Sequence, residues 1–308
     1  MSFELTILGS SSALPTSKRF PAAHLLKVDE RFFLIDCGEG TQIQLRKYGF
    51  NPSRIHRIFI SHLHGDHVFG LFGLLSSLGM LGRKVPLHLY GPEKLSEMLH
   101  DHLKYFGPLP FELITYNPPK DADTPFFEDE KITVTAIPLK HRTKTYGYVF
   151  REKSRPLNLR KESIEQYGLG IADRVRIKQG ADITLPDGRT IPNHLLTLPP
   201  YVPRSYAYIS DTLFDPDLIP KIREVDLLYH ETTFSGRDEK LAADTFHSTA
   251  PQAARMAKDA KAGKLLIGHF SSRYKDHTAL VEEARELFSQ TEGVSDGDVY
   301  SIPLRRSS

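Results

Sequence analysis

Residues 61–67 read Ser-His-Leu-His-Gly-Asp-His and directly follow the apolar run Ile58–Ile60. Three histidines and one carboxylate therefore lie close together on a loop that leaves a predicted buried strand. Neutral imidazole and ionised carboxylate are preferred ligands of a zinc-like divalent ion. The glycine and the alternating spacing let His62 and His64 face one ion while Asp66 and His67 face a second ion. The sequence predicts a metal site at this loop.

Strands and helices alternate on both sides of this loop. Strands are predicted over residues 3–8, 24–28, 31–36, 57–60, 86–90, 131–137, 205–210, 225–229 and 264–267. Helices are predicted over 41–48, from 71 onward, over 92–105, from Ser248 or Thr249 onward, and over 279–289. Because both halves mix the two elements, we expect two packed sheets with helices on their outer faces, a four-layer α/β sandwich.

A histidine or an aspartate repeatedly follows a predicted strand, at His62, His141, Asp211 and His269. Such strand ends can converge at one edge of a sandwich, where a rigid scaffold holds ligands on loops. Taken singly, His141 and His269 also suit structural histidines, and Asp211 also suits a turn or cap. The metal hypothesis therefore depends on the cluster at 62–67, whose pattern rarely arises by chance.

The composition is that of an ordinary globular protein, with 308 residues, 40% of them hydrophobic and 25% charged. No apolar run approaches the roughly 18–20 residues that span a bilayer. The first residues lack the basic and apolar regions of a signal peptide. Cys37 is the only cysteine, which excludes an intrachain disulfide and favours a reducing compartment, the cytoplasm. We expect neither a membrane partner nor an organic cofactor.

Residues 151–204 differ from the rest of the chain. They are rich in proline, glycine and charge, with a turn signal at Pro186-Asp187-Gly188. Residues 151–178 carry eight basic and four acidic side chains, a local net charge of +4 against +2 for the whole chain. So long a weakly structured stretch predicts an insertion with its own task, although a charge run is also typical of a solvated surface.

The motif His62-Leu63-His64-Gly65-Asp66-His67 resembles the signature of the metallo-β-lactamase superfamily. Further stretches resemble the ribonuclease Z family of tRNA 3′-processing endonucleases, in order along nearly the whole chain: 35–42, 65–71, 90–92, 230–234 and 246–249. The resemblance implies an αββα sandwich, a single domain over residues 1–308 with a flexible basic arm inserted at approximately 151–204. It also implies two zinc ions per subunit, although the ligand set tolerates manganese.

The same resemblance implies seven metal ligands in two groups that share one carboxylate. One zinc ion would be bound by His62, His64 and His141. The other would be bound by Asp66, His67 and His269, with Asp211 bridging the two ions.

Three catalytic roles are implied by the resemblance as well. Asp66 would act as general base, and His247 as acid or electrostatic partner of the departing 3′-oxygen. Glu231 would orient a neighbouring histidine. From the residues alone, His247 also suits a neighbour of a helix cap, and Glu231 a solvated carboxylate.

The arm of the family grips tRNA largely through backbone phosphates, and the basic stretch here fits that chemistry. The candidate RNA contacts are Arg155, Arg160, Lys161, Arg174, Arg176 and Lys178. Two stretches depart from the family pattern. Residues 168–174 lack the Gly-Pro motif of the arm, which puts the geometry of its tip in doubt. Residues 15–20 lack the Pro-x-Lys-x-Arg-Asn loop that is linked to rejecting mature CCA ends, so that property does not transfer.

The expected function is that of a zinc-dependent endoribonuclease that cuts precursor tRNA after the discriminator nucleotide and leaves a 3′-hydroxyl. The expected assembly is a homodimer in which the arm of one subunit grips the tRNA cut by the other. A small-molecule phosphodiesterase or phosphonate hydrolase is the alternative within the same fold, since it would share the ligands but need no basic arm. A thioester hydrolase fits the 230–249 stretch less well. A non-catalytic RNA-binding scaffold is the alternative from a different class.

Overall fold

Two seven-stranded sheets form the centre of the protein. The computed structural model describes residues 2–119 and 124–307. In chain order the strands are β1 (Phe3–Gly9), β2 (Ala23–Val28), β3 (Arg31–Ile35), β4 (Ile55–Phe59), β5 (Leu87–Tyr90), β6 (Leu113–Tyr116), β7 (Phe127–Glu128), β8 (Ile132–Leu139), β9 (Thr145–Glu152), β10 (Ile183–Thr184), β11 (Thr190–Ile191), β12 (Ser205–Ile209), β13 (Leu227–Glu231), β14 (Lys264–Gly268), β15 (Thr291–Gly293) and β16 (Val299–Ser301). The helices are α1 (Thr41–Lys47), α2 (Gly65–Met80), α3 (Lys94–Phe106), α4 (Lys161–Gln166), α5 (Ile171–Lys178), α6 (Asn193–Leu196), α7 (Glu239–Thr245), α8 (Ala250–Asp259) and α9 (Thr278–Leu287).

The strand order brings the ends of several strands to one edge. The first sheet runs β16-β1-β2-β3-β4-β5-β6 and the second runs β15-β14-β13-β12-β9-β8-β7. Strands β3 to β6 are parallel to one another, and so are strands β12 to β15. Neighbouring parallel strands end on the same side, so the loops that follow them lie side by side.

Apolar side chains separate the four layers. The two sheets pack through an aromatic-rich core that includes Phe33, Phe59, Phe150 and Tyr208. Helices α1 to α3 cover the outer face of the first sheet, with leucines of α2 in the core there. Helices α8 and α9 cover the second sheet. Burying each large apolar side chain contributes about 1.5–3 kcal/mol. The predicted four-layer sandwich is confirmed.

Helix α8 begins where the sequence predicts. The hydroxyl of Thr249 accepts a hydrogen bond from the Gln252 N–H at 3.4 Å, and the Gln252 amide oxygen accepts one from the Thr249 N–H at 3.0 Å. This reciprocal capping satisfies two N–H groups that the first helical turn leaves without a partner. Strands β6, β7, β9, β10, β11, β15 and β16 were not predicted. Strand β9 is the most important of them because it leads into residues 151–204.

The expectation that residues 151–204 are weakly structured is wrong. This segment, here called the arm, contains α4, α5, α6 and the β10–β11 hairpin. A small apolar core of Leu169, Ile177, Ile183 and Leu196 holds these elements together. Strands β9 and β12 on either side of the arm pair antiparallel, so the chain leaves and returns at one point of the second sheet. In the described part of the chain, no helix is both long enough and apolar enough to cross a bilayer.

Candidate metal centre at the shared edge of the sheets

The ends of five strands meet at one edge of the sandwich. In the first sheet Asp36 follows β3 and residues 61–67 follow β4. Asp66 and His67 lie in the first turn of α2 and not on a loop as predicted. In the second sheet His141, Asp211 and His269 follow β8, β12 and β14. The convergence that the sequence suggested is therefore observed, and the side chains fall into groups whose nitrogen and oxygen atoms lie within 4.8 Å of one another.

The first group contains His62, His64, His141 and Asp211. Nε2 of His62 lies 3.0 Å from Nδ1 of His64, and Nε2 of His141 lies 3.3 Å from the same atom. Burial is the largest influence on all three imidazoles and lowers the pKa of each below its ordinary value. The three rings are therefore neutral near pH 7 and have nitrogen lone pairs that can bind a cation.

The second group contains Asp66, His67 and His269. Nε2 of His67 lies 3.3 Å from Nε2 of His269, and Oδ2 of Asp66 lies 3.5 Å and 3.3 Å from these two nitrogens. His67 and His269 are buried, and Asp66 is partly exposed at the edge of the site. This second group offers the same kinds of donor atom as the first, with two imidazoles and one carboxylate against three imidazoles and one carboxylate.

Asp211 lies between the two groups. Its Oδ2 is 3.6 Å from Nε2 of His62, and its Oδ1 is 3.5 Å from Nε2 of His67 and 3.3 Å from Nε2 of His269. Each carboxylate oxygen thus faces one group, as a ligand shared by two neighbouring cations would. A third arrangement, Asp211 with His247 and His269, also has its atoms within 4.8 Å.

Four histidines hold their outward ring nitrogen against a protein oxygen. These nitrogens lie 2.7–3.0 Å from their partners, which are Ser61 Oγ for His62, Asp36 Oδ2 for His67, the Phe246 carbonyl for His141, and Thr233 Oγ1 for His269. Such contacts fix the ring and leave its other nitrogen facing the site, which is the usual support of a metal-binding histidine. These supporting residues were not predicted from the sequence, although Asp36 follows a strand just as Asp211 does.

Close packing of α2 holds Asp36 against His67. Asp36 is buried at a positive φ of 57°, and its carboxylate also accepts hydrogen bonds from Ser61 and Tyr208. The N–H of Gly70 donates to the carbonyl of Cys37 at 2.9 Å. A Cβ at position 70 would lie only 1.9 Å from the carbonyl oxygen of Gly38, so only glycine allows this approach.

The negative charge around His67 suits a bound cation. Burial alone would lower the pKa of His67, but the carboxylates of Asp211, Asp66 and Asp36 outweigh it and raise the pKa well above its ordinary value. Three carboxylates around one buried imidazole need a compensating positive charge. Together with the paired groups of nitrogen and oxygen donors, this excess shows that the residues present fit a divalent metal site.

Glu231 and His247 form a pair beside the two groups. Nδ1 of His247 donates to Oε1 of Glu231 at 3.1 Å. The other interpretation of Glu231, a solvated carboxylate, is wrong: its side chain is fully buried and accepts hydrogen bonds from the backbone N–H groups of Thr233 and Ser248. Burial alone would lower the pKa of His247, but the charge and the hydrogen bond of Glu231 raise it to about 9.

The loop after β1 supports Asp66. The backbone N–H of Ala13, which has a positive φ of 56°, donates to Oδ2 of Asp66 at 2.8 Å. Burial would raise the pKa of Asp66, but the neighbouring His67 and His269 outweigh it and lower the pKa. Asp66 is therefore ionised, oriented by the backbone, and accessible from the open side of the site.

The basic residues of the arm are not all alike. Five are exposed along the arm: Arg160, Lys161, Arg174, Arg176 and Lys178. The guanidinium of Arg155 instead donates to Glu152 at 2.5 Å where the arm joins the second sheet. None of the six residues belongs to the metal groups, since they lie on a separate part of the chain.

The two sheets, the outer helices and the His/Asp groups at their shared edge define a metallo-β-lactamase-fold protein. YhfI from Bacillus subtilis, a metallo-β-lactamase-fold protein, superposes with a TM-score of 0.70 at 19% identity over 98% of this chain and 100% of that one. Human tRNase Z, short form, superposes with a TM-score of 0.69 at 25% identity over 97% of this chain and 99% of that one. Residues 3–155 match a family model described as anti-Pycsar protein Apyc1.

Sequence relatives narrow the class further. Ribonuclease Z of Phocaeicola vulgatus is 45% identical over 292 residues, which cover 94% of this chain and 94% of the relative. The aligned region covers nearly the full length of both proteins, so it includes both sheets and the arm. This chain belongs to the ribonuclease Z family.

Proposed function

We propose that this chain is a metal-dependent endoribonuclease that removes the 3′ trailer of precursor tRNA after the discriminator nucleotide and leaves a tRNA 3′-hydroxyl. The single observation that carries the proposal is the pair of metal-binding groups that share Asp211, found in a chain of the ribonuclease Z family. Two adjacent cation sites suit phosphodiester hydrolysis, in which an attacking and a leaving oxygen both need stabilisation.

The proposed ligands are the seven residues of the two groups. His62, His64 and His141 would hold one ion, Asp66, His67 and His269 would hold the other, and Asp211 would contact both. Zinc is the proposed ion, at two per subunit, and manganese is the alternative that the same ligands accept. When bound, the ions would supply positive charge that polarises the scissile phosphate and acidifies water.

Asp66 is the proposed general base. Its carboxylate is ionised, is aimed by the Ala13 N–H, and lies at the accessible side of the site. In the proposed reaction the oxygen of a water molecule forms a bond to phosphorus while a proton of that water passes to Asp66. The backbone hydrogen bond keeps the carboxylate in place for this transfer.

His247 is the proposed acid for the other side of the reaction. As the bond between phosphorus and the tRNA 3′-oxygen breaks, the imidazolium donates a proton to that oxygen and the trailer keeps the phosphate. Glu231 holds Nδ1, so Nε2 is the nitrogen that can deliver the proton. The buried carboxylate stabilises the charged ring and fixes its orientation.

The arm is the proposed contact for the body of the tRNA. Its exposed arginines and lysines provide positive charge at a distance from the reacting phosphate. Contacts of this kind go to backbone phosphates, so they position many tRNA sequences equally well. The single cysteine, Cys37, agrees with a proposed place of action in the reducing cytoplasm.

A homodimer is proposed as the working assembly. At α1 and the end of α2, Ile43, Met80 and Leu81 are each more than half exposed and line one surface cavity. Exposed apolar residues that lie close together are typical of surfaces that another protein covers. Analytical ultracentrifugation of the wild type and of Met80→Glu would test this, since the proposal predicts a dimer that the charged variant weakens.

The proposed activity is tested with a 3′-extended precursor tRNA. The purified protein should release the trailer, and mapping of the product should place the new end after the discriminator nucleotide with a 3′-hydroxyl. Chelator and Asp66→Ala should each abolish cleavage. Cleavage of bis(p-nitrophenyl) phosphate without cleavage of any precursor tRNA would favour the small-molecule phosphodiesterase. RNA binding without either activity, and without bound metal, would favour the scaffold.

A further inference from the structure

Two chain segments connect the arm to the second sheet: the departing limb, which follows β9, and the returning limb, which precedes β12. A buried ion pair joins them at the base of the arm. Glu152 ends β9 and Arg204 precedes β12. The guanidinium of Arg204 donates to both carboxylate oxygens of Glu152, at 2.9 and 2.8 Å, and each side chain is only 3% exposed. Backbone hydrogen bonding reinforces the pair, since the Glu152 N–H donates to the Arg204 carbonyl at 2.8 Å. Two planar groups held in this way define the direction in which both limbs leave the sheet.

The final described residues, Pro303–Ser307, pack along the returning limb. This segment is here called the tail. The Val202 N–H donates to the Arg305 carbonyl at 2.9 Å, and the Ser307 N–H donates to the Pro200 carbonyl at 2.8 Å. Arg306 adds a hydrogen bond to the Pro199 carbonyl at 2.6 Å, and its guanidinium lies 4.1 Å from the centre of the Tyr201 ring.

The tail is itself anchored to the body of the protein. Arg305 pairs with Asp226 at 2.7 Å, just before β13. The carbonyl of Ile302, directly before the tail, accepts a hydrogen bond from Arg204 at 3.1 Å. The body, the tail and the returning limb are therefore linked in series, and the residue directly before the tail contacts the ion pair at Arg204.

We propose that the Glu152–Arg204 pair and the tail together set the orientation of the arm relative to the metal centre, and that Glu152, Arg204 and Arg306 are positioning residues for the macromolecular substrate. The functional part of this inference rests on the proposed function, because it takes the arm to bind tRNA. None of these residues touches the reacting phosphate. Their effect is to keep the arm in the orientation in which a tRNA gripped by it presents its 3′ end correctly.

The surroundings of the ion pair explain why polar contacts set the orientation of the arm. A cavity of about 400 Å³ lies next to the departing limb, lined by charged residues that include Lys131, Lys153 and Lys178. The small apolar core of the arm lies within the arm itself and does not extend to the sheet. Orientation therefore depends on the ion pair and the tail, because directional hydrogen bonds fix an angle that non-directional apolar contacts leave free.

Arm orientation is measured directly with spin labels. Cys37 is buried, so labels attach to introduced cysteines at Gln166 on the arm and Lys258 on α8, both exposed. Pulsed electron spin resonance then gives the distribution of distances between them. The test variants are Arg306→Ala and a chain truncated after Ile302, which leave the buried pair in place. Arg255→Ala is the matched control, because Arg255 is an exposed arginine in an ion pair on the body.

The expected result is a narrow distribution in the wild type and the control and a broad one in both test variants. If the correct orientation is then populated about one fifth of the time, KM for precursor tRNA rises about fivefold. We expect kcat, and the hydrolysis of bis(p-nitrophenyl) phosphate, to stay unchanged. Arg306→Lys should broaden the distance distribution and raise KM less than Arg306→Ala does, since lysine can still donate to the Pro199 carbonyl.

An unchanged distance distribution in both test variants would overturn the inference, and so would a loss of small-substrate hydrolysis equal to the loss of tRNA cleavage. The distances do not depend on activity. If the wild type cuts no precursor tRNA, the proposed function fails while the spin-label distances still decide whether the tail orients the arm. The same measurement on Glu152→Gln decides it for the buried pair.

Discussion

The carboxylate of Asp36 accepts a hydrogen bond from Nδ1 of His67 at 2.7 Å, and both side chains are fully buried. This contact joins the end of β3 to the first turn of α2, so it ties the orientation of one proposed ligand to the packing of the first sheet. It also shows that the centre is built in two layers. The inner layer consists of the proposed ligands, and the outer residues hold these ligands in their orientations.

Asp36→Ala should lower the affinity for metal by about 10–100-fold, as expected when the support of a metal-binding histidine is lost. Calorimetric titration of the metal-free protein with zinc measures this affinity. Tyr208→Phe is the control, since it removes one hydrogen bond to Asp36 but keeps the carboxylate beside His67. Equal zinc affinity in wild type and Asp36→Ala would show that His67 needs no such support.

Removal of the metal should destabilise the protein, because Asp36, Asp66 and Asp211 would remain close together without a compensating charge. A metal ion at 100 times its dissociation constant stabilises the folded state by about 2.7 kcal/mol. Thermal unfolding with chelator, and again after adding zinc or manganese, should show a lower melting temperature that the native ion restores best. A melting temperature that ignores chelator would contradict a metal site in this cluster.

His247→Ala should reduce precursor tRNA cleavage by about 10²–10⁴-fold, the usual contribution of a general acid. The bound metal should stay the same, because the two groups remain complete without His247. The Asp211–His247–His269 arrangement also allows His247 to be a metal ligand. Elemental analysis of the metal content of the variant distinguishes a general acid from a ligand. A variant that loses metal in parallel with activity would make His247 a ligand instead.

Much of this centre was predictable from one strong local signal and one recurring placement. Residues 61–67 carry four proposed ligands close together in the sequence, and His141, Asp211 and His269 each follow a strand. Glu231, Thr233 and Asp36 were harder, because their roles arise from contacts between segments far apart in the chain. The Asp36–His67 contact, for example, needs the close approach of α2 to the Cys37 backbone that Gly70 permits. No local sequence pattern predicts that approach.

The arm shows the opposite case. Its charge was visible in the sequence, but its fold was not, because α4, α5 and the β10–β11 hairpin are short and rich in polar residues. A core of a few side chains, such as Ile177 and Leu196, suffices to hold it. Arg155 was predicted to contact RNA. In the structure its guanidinium donates to Glu152, three residues earlier, which also pairs with Arg204.

Replacing Arg174, Arg176 and Lys178 together by glutamine should weaken precursor tRNA binding and flatten its dependence on salt, because fewer counterions are released. Hydrolysis of bis(p-nitrophenyl) phosphate should not change. The matched control replaces Lys221, Arg255 and Lys258, which are exposed on the body, and removes the same charge. Equal salt dependence in the test and control variants would show that α5 is not the tRNA contact.

The buried pair at the base of the arm makes a prediction about pH. Burial would raise the pKa of Glu152, but the hydrogen bonds of Arg204 and Arg155 and the charge of Arg204 outweigh it and lower the pKa. Since the pKa in the folded state lies below that of the unfolded chain, the ionised carboxylate stabilises the fold above the unfolded pKa of about 4.3. That stabilisation is lost as the pH falls through the lower, folded value.

Glu152→Gln should therefore be less stable than the wild type by about 3–5 kcal/mol near pH 7, because it leaves Arg204 buried without its partner. The difference should shrink below about pH 4, where the wild-type carboxylate also takes up a proton. Urea unfolding of both proteins at several pH values measures it. Asp187→Asn is the control, since the exposed Asp187–Arg189 pair should contribute far less at every pH. A constant difference between wild type and Glu152→Gln down to about pH 3 would show that the charge of Glu152 is not what stabilises the base of the arm.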